Sequence, residues 1–408
     1  MPAADSAGTV ATTSASDGAL APRLDLLSGE GALDVFRRAT ELERQGRTII
    51  HLELGAPDVA APAHVTEAAI RALRDGDARY VAPTGIPELR EAIAADLGSR
   101  GVPVEPAQVI VTPSAKTAVF YGMLATVEPG CEVLVPDPGF PIYPSVARFA
   151  GGIPVGYALD HRNAPDLDDI ERRITPRTRV LLLNSPNNPT GGALSAAALE
   201  RLAGVIARHR IAVVSDDIYS RLVYDGGRAA CLAAYPEARG LTAVVDGFSK
   251  TWAMTGYRLG YLAVPPSWVE RLTTLAVNGH TCVAPFIQRA GVAALTGPQD
   301  AVDRQVDAYR TRRDRLVQGF RELPGVRCPI PAGAFYLFPD FTELLRGAGL
   351  TSRDWAAKLL EDYGVALIDG AAFGRHGEGK LRLSFASAEA DLDAAIDRIT
   401  TAVRDLAG

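Results

Sequence analysis

Asp246-Gly247-Phe248-Ser249-Lys250-Thr251 directly follows an apolar run at residues 242–245, and Arg258 stands eight residues beyond the lysine. Apolar runs that end in polar residues are typical of the buried strands of an α/β sheet. In such sheets, ligands bind beyond the carboxyl ends of the strands. We therefore expect Lys250 to face a ligand site.

Two upstream runs have the same form. Asn188-Pro189-Thr190-Gly191 follows the apolar residues 180–183, and Asp216-Asp217-Ile218-Tyr219 follows the apolar residues 211–214. Strands that run parallel in one sheet have their carboxyl ends at the same edge. A lysine, an aspartate, an asparagine and an arginine that meet at this edge would suit an aromatic aldehyde phosphate. The sequence therefore predicts a pyridoxal phosphate (PLP) site.

Apolar runs alternate with amphipathic stretches over most of the chain. This alternation predicts an α/β fold in which helices cover both faces of a mainly parallel sheet. The predicted strands are at residues 48–54, 109–111, 132–135, 179–183, 211–214, 242–245 and 259–263, and the helices between them include residues 32–45, 117–127 and 196–209. A smaller α+β unit is predicted from a long helix at residues 300–323, strands at 334–338, 365–368 and 381–384, and helices at 352–363 and from 389.

Composition excludes several other classes of protein. The chain has 408 residues and a formal net charge of −6, and it lacks the basic stripe that nucleic-acid binding needs. Its four cysteines form no CxxC pair and no HExxH occurs, so no metal site is predicted. No apolar run approaches the roughly 18 residues of a membrane span. Scattered cysteines and the lack of a secretory signal predict a cytoplasmic protein, and the small polar residues 1–22 predict a disordered tail.

Lys250 and Asp216 carry the side chains that PLP chemistry requires. A lysine amine bonds to the cofactor's aldehyde, is displaced by the substrate's amine, and can then move a proton at the substrate's α-carbon. A carboxylate that faces the ring nitrogen keeps it protonated, so the ring can accept electrons. Asp217 is the rival for this position, and an aspartate here could instead cap a helix. Tyr219 and Asn188 can donate hydrogen bonds to the ring's oxygen, although the tyrosine could equally pack in the core.

A phosphate site is predicted at Thr112-Pro113-Ser114-Ala115-Lys116, a turn between a strand and a helix. The N–H groups and dipole of a helix N-terminus favour an anion by roughly 0.3–1 kcal/mol, and Arg258 would add a forked donor. A serine at such a turn could equally be a helix cap. The glycine-rich motifs of nicotinamide enzymes and of Walker loops do not occur in this sequence.

Together these motifs resemble those of fold-type I PLP enzymes, and specifically the bacterial class I aminotransferases, which are similar to aspartate aminotransferase. The resemblance extends from about Arg23 to the end of the chain. It rests on residues 55–58 (GAPD), 80–90 (YVAPTGIPELR), 137–143 (DPGFPIY), 184–191 (NSPNNPTG), 215–219 (SDDIY), 249–250 (SK), 254–260 (MTGYRLG), 333–336 (GAFY) and 382–384 (RLS).

The resemblance implies a fold and an assembly. The fold would be a mainly parallel seven-stranded sheet between layers of helices, with a smaller α+β domain. Residues 23–60 would form an N-terminal arm and part of the small domain, residues 61–298 the large PLP-binding domain, and residues 299–408 the small C-terminal domain. A homodimer with shared active sites is implied because Tyr80 of the partner subunit would join the phosphate site.

The resemblance also implies a role for each site residue. Lys250, Asp216 and Tyr219 would be catalytic, and Arg382 would clamp the substrate's α-carboxylate with help from Gly55 and Asn188. Phe140 would stack on the cofactor's ring. The full implied cofactor-binding set is Ser114, Ala115, Lys116, Phe140, Asn188, Asp216, Tyr219, Ser249, Lys250, Arg258 and the partner subunit's Tyr80.

Several positions depart from the family's pattern. Ser114 and Ala115 stand where many relatives have glycine, and Gly247 stands where many have serine. Ala56 replaces a common glutamate, and Asp369 a common proline.

Two other features concern the substrate. Lys116 matches a position that meets the substrate's side-chain carboxylate in some aspartate-using relatives, but it could equally be exposed. His280 and Thr281 lie in a loop that we expect to cross the dimer interface near the substrate.

The implied activity is the transfer of an amino group between an L-amino acid and a 2-oxo acid by a ping-pong mechanism. The alternative is a PLP enzyme of the same fold that performs elimination, replacement, cyclisation or oxidation, because all these reactions begin with the same proton removal. A PLP-binding transcription regulator would need a DNA-binding unit ahead of this body. The 22 residues before Arg23 are too few for one.

Overall fold

The structure is a computed structural model that describes residues 20–29 and 31–407. Most of the tail predicted at residues 1–22 lies outside the described residues, which begin with Leu20 and a short 3-10 helix at Pro22–Leu26. The α-helices of the described part are α1 Gly31–Arg44, α2 Ala63–Arg74, α3 Pro87–Gly98, α4 Ala115–Thr126, α5 Ile142–Phe149, α6 Leu167–Arg173, α7 Ala196–His209, α8 Pro236–Arg239, α9 Val269–His280, α10 Pro285–Thr296, α11 Asp300–Arg321, α12 Thr342–Ala348, α13 Ser352–Glu361 and α14 Glu389–Ala407. The strands are β1 Ile50–His51, β2 Val109–Thr112, β3 Glu132–Pro136, β4 Ile153–Tyr157, β5 Thr178–Asn184, β6 Ala212–Asp216, β7 Thr242–Gly247, β8 Gly260–Ala263, β9 Tyr336–Leu337, β10 Val365–Ala366, β11 Ile368–Asp369 and β12 Leu381–Ser384.

The largest sheet has seven strands in the order β2-β8-β7-β6-β5-β3-β4. Its pairs are parallel except at β8, which is antiparallel to both of its neighbours, β2 and β7. This arrangement confirms the predicted α/β fold class. Because β2, β5, β6 and β7 run in the same direction, their carboxyl ends lie at one edge of the sheet.

Burial explains why most of these strands can be recognised in the sequence. Every residue of β2, β3, β7 and β8 is buried, as expected for strands covered by helices on both faces. Strand β4 was not predicted from the sequence; it forms one edge of the sheet and is largely half-buried or exposed. Its residues Pro154 and Gly156 weaken the strand pattern, and an edge strand tolerates them because one side has no partner strand.

Helix α7 forms where the sequence predicts it, because its end signals and its apolar face mark the same residues. Ser195 caps the first turn by accepting a hydrogen bond from the Ala198 N–H at 3.2 Å. Leu199, Leu202 and Ile206 are buried on one side of the helix. Arg210 then takes a left-handed conformation, with φ of 52°, and ends the helix.

A smaller unit contains a three-stranded sheet, β11-β12-β9, and the parallel pair β1-β10. The strand predicted at residues 365–368 is in fact two strands, β10 and β11, which join different sheets. The strand predicted at residues 48–54 is reduced to β1. Beyond it, the Leu52 N–H donates to the Ala366 carbonyl, the Leu52 carbonyl accepts from the Ser384 N–H, and the Glu53 carbonyl accepts from the side chain of Arg382. The predicted domain boundaries remain predictions.

Among the described helices, none is both long and apolar enough to cross a membrane.

Candidate active site

A cavity of about 530 Å³ opens at the carboxyl ends of β2, β5, β6 and β7 and is closed on one side by residues of the smaller unit. All the site residues predicted within a single chain line it. They are Gly55, Ser114, Ala115, Lys116, Phe140, Asn188, Asp216, Tyr219, Ser249, Lys250, Arg258 and Arg382.

Lys250 enters the cavity from the turn after β7. Its Nζ donates a hydrogen bond to the carbonyl oxygen of Gly55 and lies 5.8 Å from the centre of the Phe335 ring. A Cβ atom at Gly55 would lie 2.1 Å from the Tyr336 hydroxyl oxygen, so a larger residue would have to displace the buried side chain of Tyr336. The amine is therefore held at the junction of the large sheet and the smaller unit.

Asp216 is the last residue of β6 and is buried in the cavity wall. The Tyr143 hydroxyl donates a hydrogen bond to its Oδ2 at 2.8 Å, and the Ile218 N–H donates one to its Oδ1 at 3.2 Å. Burial raises the pKa of Asp216 to about 6 and the charge of Asp217 adds to this, while the two hydrogen bonds and Lys250 act in the opposite direction. Its carboxyl group therefore changes charge just below neutral pH.

Asp217, the rival in the sequence, does not line the cavity. Its Oδ2 accepts a hydrogen bond from Arg100 at 2.5 Å, and its Oδ1 accepts one from the Ser215 hydroxyl at 2.7 Å. Successive side chains at a strand end point in opposite directions. For that reason only Asp216 faces the cavity.

Tyr219 and Asn188 occupy the wall beside Asp216. The hydroxyl oxygens of Tyr219 and Tyr336 lie 3.0 Å apart, and burial raises the pKa of Tyr219 well above its usual range. Tyr219 therefore stays protonated and can donate a hydrogen bond. The backbone N–H of Asn188 donates to Asn184 Oδ1 at 2.8 Å, which fixes the loop after β5.

Arg382 lies on β12 and is buried at the far side of the cavity. Its Nη1 donates to Asn188 Oδ1 at 3.2 Å, and its Nη2 donates to the carbonyl oxygen of Glu53. The guanidinium carbon lies 4.6 Å from the centre of the Tyr336 ring and 5.0 Å from that of Phe373. These contacts hold the fork of Arg382 in one orientation, which suits a carboxylate.

The turn after β2 has the geometry of an anion site. Ser114 caps α4 by accepting a hydrogen bond from the Thr117 N–H at 3.0 Å. The helix begins at Ala115, two residues before the predicted start, so the first-turn N–H groups lie at the cavity. Strand β8 passes close by, and a Cβ on Gly260 would lie 2.3 Å from the Ala115 nitrogen. Arg258 is exposed beside the turn and donates to the Thr255 carbonyl at 2.7 Å.

Three predicted residues lie at or beyond the rim. Lys116 is exposed, and its Nζ lies 5.6 Å from the centre of the Phe140 ring. His280 does not line the cavity; its Nδ1 lies 2.9 Å from the Tyr121 hydroxyl oxygen, and burial lowers the pKa of its imidazole. Tyr80 is 88% exposed and lies outside the cavity of its own chain.

Tyr143 and Tyr336 also line the cavity, although the sequence predicted no role for either of them. Tyr143 is 73 residues away from Asp216 in the sequence, and Tyr336 is 117 residues away from Tyr219. No local sequence pattern pairs residues that are so far apart in the chain. Only the folded chain brings their hydroxyl groups to the site.

The cavity fits PLP in both size and chemistry. It offers an amine at Lys250, a buried ionisable carboxyl group at Asp216, and a helix N-terminus with Arg258 beside it. These groups match an aldehyde, a pyridine nitrogen and a phosphate, respectively. Within the described residues, no group of three or more histidine, cysteine or acidic side chains could hold a metal ion.

Comparison with known proteins points to the same chemistry. Residues 47–399 match the family model described as aminotransferase class I and II. An aspartate aminotransferase of Geobacillus stearothermophilus is 36% identical over 386 residues, which cover 93% of this chain and 98% of that protein. An aspartate/prephenate aminotransferase of Thermus thermophilus is 37% identical over 385 residues, which cover 93% of this chain and 97% of that protein. The solved structure of the Thermus thermophilus aspartate aminotransferase with maleate has a TM-score of 0.87 and 37% identity, and the match covers 94% of this chain and 99% of that one.

Proposed function

Because the chain belongs to the aminotransferase class I and II family, and is therefore a PLP-dependent aminotransferase that acts on amino acids, we propose the following roles for its residues. The single observation that carries them is that Lys250, Asp216 and Arg382 line one cavity. An amine, a carboxyl group and a fixed guanidinium are the three groups that the reaction requires.

Lys250 moves the proton. Bound PLP supplies an electron sink that makes the substrate's α-carbon acidic. The Nζ of Lys250 would take the proton from that carbon as a general base and would then return a proton as a general acid. Asp216 would hold a positive charge on the ring nitrogen, and Tyr219 and Asn188 would donate hydrogen bonds to the ring's oxygen. The phosphate would be held by Ser114, Ala115, Lys116, Ser249 and Arg258, and Phe140 would stack on the ring.

Arg382 binds the α-carboxylate of the substrate. Its guanidinium is buried and already oriented by Asn188 and by the Glu53 carbonyl. A preoriented fork loses little side-chain entropy when it binds a carboxylate with two hydrogen bonds. Gly55 leaves room for the substrate next to Lys250.

We propose that the substrate is a dicarboxylic amino acid, with its second carboxylate at Lys116. The cationic side chains among the described residues that line the cavity are Lys116, Lys250, Arg258 and Arg382. The positive charge of Lys116 at the exposed rim would attract a second carboxylate. The Thermus thermophilus relative was solved with maleate, which is a dicarboxylate.

The active enzyme is proposed to be a homodimer in which Tyr80 of the partner subunit completes the phosphate site. The 88% exposure of Tyr80 on the single chain supports an interface at this position. The reducing cytoplasm is the proposed compartment, since all four cysteines are free.

A screen of half-reactions tests the proposal. The PLP enzyme is mixed with each common L-amino acid without any oxo acid, and the cofactor's colour is followed. A transaminase should stop after one turnover per site, and aspartate or glutamate should react fastest. Continuous turnover would instead indicate the elimination or oxidation chemistry of the alternative.

The variant Lys250→Ala is the control for this screen. It should lose the absorbance of lysine-bound PLP and the half-reaction. If borohydride still attached the cofactor to the variant protein, another lysine would be the anchor.

If Lys116→Met left the rates for aspartate unchanged relative to alanine, Lys116 would have no role in substrate choice.

A further inference from the structure

A buried ion cluster lies behind the active-site wall and is not part of the cavity lining. We name it the Arg100 cluster; it consists of Arg100, Asp217 and Asp246. The three side chains are 1%, 3% and 8% exposed, respectively. Buried charges are costly unless they are paired, so such a cluster needs a reason to be there.

Arg100 connects the ends of two neighbouring strands. Its Nη2 lies 2.5 Å from Asp217 Oδ2 in the turn after β6, and its Nη1 lies 3.9 Å from Asp246 Oδ2 on β7. The same Nη2 donates to the Ala229 carbonyl at 3.3 Å. One guanidinium thus hydrogen-bonds to the turn and the loop that follow β6, and it forms a longer ion pair, without a hydrogen bond, to the end of β7.

Each carboxylate is also fixed by its surroundings. The Ser215 hydroxyl donates to Asp217 Oδ1 at 2.7 Å. The Ser220 hydroxyl donates to Asp246 Oδ2 at 3.0 Å, and the Gly247 N–H donates to Asp246 Oδ1 at 2.7 Å. Since Ser220 follows β6 while Asp246 lies on β7, this contact is a second link between the two strand ends.

The two linked turns carry the groups of the reaction. Asp217 directly follows Asp216, and Asp246 is four residues before Lys250. A shift between the turns would change the position of the Lys250 amine relative to the Asp216 carboxyl group. Misplacement of reacting groups by about 1 Å can lower a rate by roughly 100-fold.

We propose that Arg100 is a positioning residue. Its buried guanidinium fixes the turn after β6, next to Asp216, relative to the end of β7, next to Lys250, so that both side chains can act on one PLP ring. This inference rests on the proposed roles of Asp216 and Lys250. Arg100 does not line the cavity; it would act through Asp217 and Asp246.

Electrostatics gives the cluster a second influence on the site. Two carboxylates share one guanidinium, and the charge of Asp217 raises the pKa of Asp216. Burial raises the pKa of Asp246 to about 7; Arg100 opposes this shift, Asp217 adds to it, and Arg228 opposes it too. Tyr261 also faces Asp246. Loss of Arg100 would remove a buried positive charge from behind the cavity wall. The pKa of Asp246, and of ionisable groups on the cavity side of this wall, would then rise.

The experiment compares Arg100→Lys and Arg100→Met with the wild-type holoenzyme. Expected for Arg100→Met is a kcat of the half-reaction lowered roughly 10- to 100-fold with little change in KM. The midpoint of the pH titration of bound-cofactor absorbance should move upward. The dissociation constant of PLP, measured by equilibrium dialysis on apoprotein, should increase. Arg100→Lys, which keeps the charge but not the fork, should restore the titration midpoint more fully than kcat.

Arg173→Met is the matched control. Arg173 pairs with the buried Asp169 at 2.6 Å on α6, outside the cavity lining. The Arg173→Met variant shows how far the loss of an ion pair outside the site changes kcat, PLP affinity and the titration midpoint. If Arg100→Met and Arg173→Met gave the same kcat, PLP affinity and titration midpoint, the positioning role would be wrong.

Folding and function are separated by two further results. If Arg100→Met does not fold, Arg100→Lys decides with the same three measurements, and wild-type values in all of them would overturn the inference. Failure of the wild-type protein to take up PLP would overturn the proposed function instead.

Discussion

At the scale of single residues, burial decides what each group of the site can do. Asp216 and Asp217 are adjacent and chemically identical, yet one lies in the cavity wall and the other is paired with Arg100. The pKa of Asp216 is raised to about 6 mainly because its carboxyl group is removed from water. The proposed carboxylate role of Arg382 likewise depends on its surroundings, because its buried guanidinium is held by Asn188 and the Glu53 carbonyl.

The pKa of Asp216 predicts a pH dependence of PLP affinity. The folded-state pKa is raised, so the carboxyl group is ionised above about pH 6 and becomes neutral as the pH falls below it. Only the ionised form pairs with a positively charged ring nitrogen. We therefore expect the PLP dissociation constant of the apoprotein to increase between pH 7 and pH 5, by at most about tenfold per pH unit.

Asp216→Asn serves as the control for that titration. This variant should bind PLP more weakly at pH 7 and should lose the part of the pH dependence that belongs to the carboxyl group. An identical pH profile in the variant and the wild type would argue against Asp216 as the partner of the ring nitrogen.

Arg382→Lys should raise the KM for amino acids by roughly 10- to 100-fold, because a lysine cannot make the forked pair with the α-carboxylate. The change in kcat should be smaller, since the clamp acts in both the ground state and the transition state. Steady-state kinetics with aspartate and with an oxo acid measures both parameters. Unchanged KM values would remove Arg382 from the carboxylate role.

At the scale of elements, the site depends on where strands end and helices begin. Helix α4 begins at Ala115 because the Ser114 side chain accepts the Thr117 N–H. The predicted start at residue 117 was two residues late, since a serine cap and a serine in a loop look the same in a sequence. The difference matters, because it adds the first-turn N–H groups of Ala115 and Lys116 to the phosphate turn.

The caps of α4 and α7 provide a matched pair of variants. Ser114→Ala and Ser195→Ala should each lower the free energy of unfolding by about 1 kcal/mol, because each removes a cap that accepts a backbone N–H. Only Ser114→Ala should also weaken PLP binding. Thermal unfolding and equilibrium dialysis measure the two effects. Equal PLP affinity in both variants would contradict the phosphate role of this turn.

At the scale of the whole molecule, one chain contributes every predicted site residue to the cavity except Tyr80. Its exposure is what a residue that acts in a neighbouring subunit would show. A mixing experiment tests this idea directly. If two subunits share their sites, the Tyr80→Ala and Lys250→Ala variants should each have low activity, and a mixed dimer should contain one site with both residues intact.

Activity should therefore rise when the two inactive variants are mixed under conditions that allow subunits to exchange. Sedimentation analysis of the wild-type protein should show a dimer. A mixture no more active than its components, despite proven exchange, would show that the sites are not shared.

The sequence by itself determined the α/β class, most strands of the large sheet and a set of residues that line one cavity. It could do so because strands buried on both faces are continuous apolar runs, and because their polar ends lie at one edge of a parallel sheet. It did not reveal the edge strand β4, where Pro154 and Gly156 interrupt the pattern, or the division of residues 365–368 between two sheets. Both features depend on which strands lie next to these residues in the folded chain.

Only the tertiary structure decided which aspartate faces the cavity and that Tyr143 and Tyr336 line it. It also decided that Arg100 pairs with the turn after β6 and with the end of β7. Each of these is a contact between residues far apart in the sequence, or a choice between neighbours that differ only in direction. Local sequence fixes backbone conformation and burial preference. The direction of a side chain and its distant partner are set when the elements pack together.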